Sequence, residues 1–177
     1  MPLSTASLLS RLDANELEFA SSLAGVSLDA AQFRESPETW NILELAEYVV
    51  QNEWTMSHFI GSAFDFDEPR VRETFELALE DAMSYRLRRL LSPGAVAPGN
   101  AFRFPGEALD RFFEARHANE RHAASLTEEQ LRSRGGRHPT GLDLSCYEGL
   151  LLLIADARLC AARILELRRA HVRAQSR

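Results

Sequence analysis

The chain has 177 residues, 45% of them hydrophobic and 26% charged, with a formal net charge of −6. That composition suits one folded domain, residues 1–177, with a sizeable core, and it excludes a disordered chain. All twenty basic residues are arginine, so chemistry that needs lysine, a Schiff base or a Walker-type phosphate loop, is excluded as well.

Helical spacing runs through nearly the whole chain. Leu8, Leu9, Leu12, Phe19 and Leu23 predict a first helix that ends near Gly25, a residue suited to the left-handed C-terminal position. The stretch "ESPETWNILELAEYVVQNEWTMSHFIGSAF" predicts a longer second helix, with Ser36 and Pro37 as its start signal. Its apolar stripe is Ile42, Leu45, Val49, Met56 and Ile60, with Asn41, Glu44, Tyr48, Asn52 and Thr55 on the adjoining edge. "EPRVRETFELALEDAMSYRLRRLL" predicts an additional helical segment through Val71, Phe75, Leu79, Met83, Leu87 and Leu90. "SPGAVAPGNAFRFPG" then breaks all periodicity, and reads as a long crossover connection, not a domain boundary.

No Gly or Pro occurs between Glu107 and Arg134, so Leu109, Phe112, Phe113 and His117 are expected on one further helix. "RGGRHPTGLD" is expected to be a loop. Ser145 and Glu148 then stand in capping-box spacing at the head of a last helix running to about Val172. No strand pattern and no internal repeat is apparent. The expectation is an all-α helical bundle.

No apolar run is long enough to cross a bilayer, and "MPLSTASLLSRLDANELEF" lacks the basic and apolar regions of a secretion signal. A cytoplasmic protein is expected, with no membrane partner. Cys146 and Cys160 fall fourteen residues apart on one predicted helix, about 21 Å along its axis, too far to bridge. Acidic residues outnumber basic ones, and the body of the chain has no evident basic face, which argues against nucleic acid. The basic tail "LRRAHVRAQSR" suits the negative end of a helix dipole.

Three stretches in series resemble the DinB/YfiT-like superfamily. They are "SLDAAQFRESPETWNILELAEYVV", "VAPGNAFRFPGEALDRFFEAR" with Phe112 and Arg116, and "HPTGLDLSCYEGLLLLIADARLCAARI". The resemblance implies an up-down-down-up four-helix bundle with an additional helical segment and a long crossover loop, often a homodimer. It also implies a metal centre of three histidines, one on the second helix and a His-x-x-x-His pair on the last, where residues four apart share a face.

This sequence departs from that pattern at each ligand position. Counted from Trp40, the first is Tyr48; counted from His138, the others are Asp156 and Cys160, and Arg163 stands where the family often has Gln. The five histidines, His58, His117, His122, His138 and His171, offer no replacement triad at these spacings.

On a helical wheel Asp156 shares the core face with Leu152, Leu153, Leu159, Cys160, Ile164 and Leu167. A buried carboxylate needs a partner or a proton. Tyr48 is the expected partner, with Asn52 and Arg163 as further candidates. Three readings follow: a hydrogen-bonded plug in a lost metal site, with no metal expected; an altered site holding Zn, Ni or Fe through Tyr48, Asp156 and Cys160; or a metal-free pocket for a small molecule. The leading expectation is a binding role for a small molecule or protein partner. The alternative is a metal-dependent thiol transferase or hydrolase-like enzyme. His117 and His122 are expected on a solvated face, Trp40 and Phe112 in the core, and Arg116 as an anchor to a carboxylate.

Overall fold

The computed structural model describes residues 4–66, 98–138 and 143–176. The expected helix at 68–91, the start of the crossover connection and Pro139 lie outside these residues. The described chain is mostly helical: α1 (Thr5–Leu23), α2 (Leu28–Gln32), α3 (Ile42–Gly61), α4 (Pro105–Ala124), α5 (Glu128–Ser133) and α6 (Cys146–Gln175). Three short strands, β1 (Phe64–Asp65), β2 (Arg134–Arg137) and β3 (Asp143–Ser145), make one antiparallel sheet in the order β1-β2-β3.

Three of the four long helices, α1, α3 and α6, begin at a residue whose side chain satisfies a free backbone N–H group. Ser4 caps α1, and Gly25 follows its end at φ 68°. Asn41 and Glu44 close a reciprocal box at the head of α3, with bonds of 2.9 and 2.8 Å. The start expected at Ser36–Pro37 is therefore too early. Thr39 turns back on Ser36 through backbone and hydroxyl bonds, so those residues form a turn that Arg34 ties to Thr39 and Glu44. Ser145 and Glu148 form the corresponding box of α6, as their spacing predicts.

Leu109, Phe112, Phe113 and His117 share α4 as expected; the Gly- and Pro-free stretch breaks after Ala124, because Thr127 and Gln130 form a capping box of their own and restart the chain as α5. The expected absence of strands fails. The strands have two to four residues, too short to show alternation, and β2 contains Gly135 and Gly136. A side chain at Gly135 would bring its first carbon within 2.0 Å of the Leu144 carbonyl oxygen, so the close approach of β2 to β3 requires glycine.

Helix α1 packs on α4 and α6, and α3 packs on the same two helices. Two apolar clusters result. One gathers Phe19, Trp40, Leu45, Val49, Phe112 and Ile164; the other gathers Leu8, Leu12, Met56, Phe59, Leu144 and Leu150. On each long helix a buried polar residue falls between members of the two clusters: Asn15 on α1, Glu53 on α3, Arg116 and Asn119 on α4, and Asp156 on α6. No helix among the described residues is long and apolar enough to cross a membrane.

Candidate functional site

Tyr48 and Asn52 stand four residues apart on α3 and so share a face toward α6. Asp156, on α6, is only 4% exposed. Its Oδ2 accepts a bond from Asn52 Nδ2 at 3.2 Å and a longer one from Tyr48 Oη at 3.5 Å. The Tyr48 ring also packs against Trp40, with centroids 5.7 Å apart. A carboxylate, an amide and a phenol are thus brought together from two facing helices, with Asn52 the nearer donor.

Cys160, one turn further along α6, is wholly buried in the apolar cluster. Burial pushes its thiol pKa far up, and the neighbouring Asp156 charge pushes it the same way. The sulfur is therefore held as a neutral thiol, the form least suited to attacking an electrophile. Cys146, at the first turn of α6, is also free and buried, with its thiol pushed up to about 11, mainly by burial.

Arg163 does not join this group. Its guanidinium bonds Glu35 on the connection before α3, and Glu166 at 2.9 Å on its own helix. The expectation of Arg163 as a partner of Asp156 is not met, because its long side chain carries the guanidinium to the acidic pair Glu35 and Glu166. His138 packs edge-on against Phe59, with centroids 5.7 Å apart.

Two polar clusters escaped the reading of the sequence. In the first, Arg116 and Glu53 are both fully buried. Arg116 Nε donates to Glu53 Oε1 at 2.9 Å, Nη1 to the Leu12 carbonyl and Nη2 to Asn15 Oδ1, each at 3.0 Å. Asn119 Nδ2 donates to Glu53 Oε2 at 2.8 Å. Burial pushes the Glu53 carboxyl up, against the pull of Arg116 and Asn119. The signal lay in the α3 stripe itself: Glu53 stands four after Val49 and three before Met56, a core position.

The second cluster joins Glu16 of α1 to His117 and Glu120 of α4. One ligand atom from each lies within 4.8 Å of the others. Its signal was the His-x-x-Glu spacing at 117–120, which places both side chains on one helix face.

A cleft of about 420 Å³ opens between α2, the start of α3 and residues 100–104, lined by Gln32, Asn41, Glu44, Phe102 and Arg103 among others. Glu47 fastens this corner by accepting from the Gly99 and Ala101 amides at 2.6 and 2.9 Å. Comparison of the chain with family models, curated proteins and solved structures returns no match.

Proposed function

We propose that the chain is a DinB-like four-helix-bundle protein in which the position of the usual three-histidine metal centre is closed, and that it acts by binding a small molecule or a protein partner. The observation that carries this reading is the bonding of Asp156 Oδ2 to both Asn52 and Tyr48. Both α3 donors bond Asp156 Oδ2, and the third position holds a thiol wholly buried in an apolar cluster. Binding is favoured by the cleft beside Asn41 and Arg103, whose volume falls in the range typical of small-molecule sites.

Substitution at Asp156 tests the closed-site reading. Asp156→Leu is expected to cost about 1–2 kcal/mol, because it removes the shared acceptor while water still reaches the half-buried Tyr48 and Asn52. Added to Tyr48→Phe it should cost less than the sum of the two, by about 0.5–1 kcal/mol. Metal content of untagged protein should be the same with and without Asp156→Leu. Strict additivity, or loss of one equivalent of metal on that substitution, would sink the reading. For the binding role, a metabolite-fragment screen should shift the Gln32, Asn41 and Arg103 amide resonances; an unmoved spectrum would leave only a structural role.

A further inference from the structure

The Glu16–His117–Glu120 cluster lies between α1 and α4, away from Tyr48 and Asp156, and it combines two carboxylates with an imidazole. His117 Nε2 is 3.4 Å from Glu16 Oε2. Two ligands bound at 2.0–2.1 Å in a tetrahedral arrangement are separated by about 3.3 Å, so this pair already stands at a ligation spacing. The imidazole is held by its own helix, stacked on Phe113 with 21° between the ring planes.

A second observation is independent of that spacing. Glu120 Oε1 is shielded from solvent with no hydrogen-bond partner among the described residues, and the shielded Glu16 Oε2 meets His117 Nε2 at 3.4 Å as an ion pair without a hydrogen bond. Buried carboxylate oxygens without donors are costly. Arg116, one residue before His117, already makes four bonds to Glu53, the Leu12 carbonyl and Asn15. Two carboxylates against one imidazole give the cluster more acidic than basic groups, an imbalance that one cation would offset. His117 is half exposed, which leaves solvent access on one side.

We infer that Glu16, His117 and Glu120 form a binding site for one divalent first-row metal ion, with zinc as the best-matched probe. An imidazole with two carboxylates suits zinc, manganese or ferrous iron, whereas calcium favours an all-oxygen cage. Three protein ligands leave at least one coordination position for water or an anionic ligand. This site goes beyond the closed centre at Asp156, and the two stand or fall separately.

The test uses the full untagged chain, stripped with chelator and titrated calorimetrically with zinc chloride alone. One equivalent should bind. His117→Gln and Glu120→Gln should each weaken binding by about tenfold or more, while His122→Gln should leave it unchanged. Metal-free Glu120→Gln should melt no lower than the parent, which separates loss of the site from loss of the fold. Absence of binding, or binding unaffected by both substitutions, would overturn the assignment. Zinc lost on Asp156→Leu but kept in His117→Gln would overturn both this site and the closed centre.

Discussion

The buried ion pair of α3 and α4 should behave as a single unit, and Arg116→Met tests this most sharply. The substitution leaves the Glu53 carboxylate at 0% exposure with only Asn119 as a side-chain donor, and it deprives the Leu12 carbonyl and Asn15 of theirs. Removing one member of a fully buried pair costs about 3–5 kcal/mol, which for a chain of this size lowers the melting temperature by roughly 6–20 °C. Glu53→Leu alone should fall in the same range, since it strands a buried guanidinium. The double variant Glu53→Leu/Arg116→Met removes both charges together. It should recover all but about 1–3 kcal/mol, the residue coming from Asn15, Asn119 and the Leu12 carbonyl. Equilibrium unfolding in urea reads all three values, and added salt should change them little because solvent does not reach the pair. Single variants costing below about 1 kcal/mol, or a double variant equal to their sum, would refute the coupling.

The other predictions concern titrating groups. In metal-free protein the contribution of Glu120 to stability should fall as pH rises from 4.5, the ordinary value for that carboxyl. The folded state holds that proton more tightly, so its stabilisation is present below 4.5 and lost as pH passes the raised folded value. Glu120→Gln should flatten this decline in thermal melts, and a pH-independent difference between variant and parent would refute it. Cys146 and Cys160 should resist a thiol reagent in native protein at about pH 8, with both reacting at once in denaturant, because burial keeps each thiol neutral. Fast native modification of either would contradict that burial.

How far the sequence carries depends on what each residue's period encodes. The helix start at Ser145 was legible because a cap acts within three or four residues. Ser36–Pro37 misled because the same signal begins a turn, and only the more distant Arg34 and Glu44 decide between the two. Gly135 and Gly136 read as loop because a strand built for close backbone approach carries no side-chain alternation.

Asp156 was legible as a core carboxylate from the α6 wheel, whereas Tyr48 was named as its partner through the family resemblance, with Asn52 as a further candidate. Arg116 was legible as an anchor, but its acid was not. Glu53 lies on α3 at a stripe position where a periodicity reading passes over a polar residue. The structure gives that exception a common logic. Asn15, Glu53, Arg116, Asn119 and Asp156 all fall between the two apolar clusters, one or two on each long helix. Apolar stripes alone would tolerate sliding of one helix along another by a turn, about 5.4 Å. Such a slide would bury Glu53 against leucine and strand Arg116, so the polar layer makes one axial register far better than its neighbours. That same register sets Asn52 and Tyr48 opposite Asp156, itself a member of the layer, and Glu16 opposite His117 and Glu120, so both candidate sites depend on it.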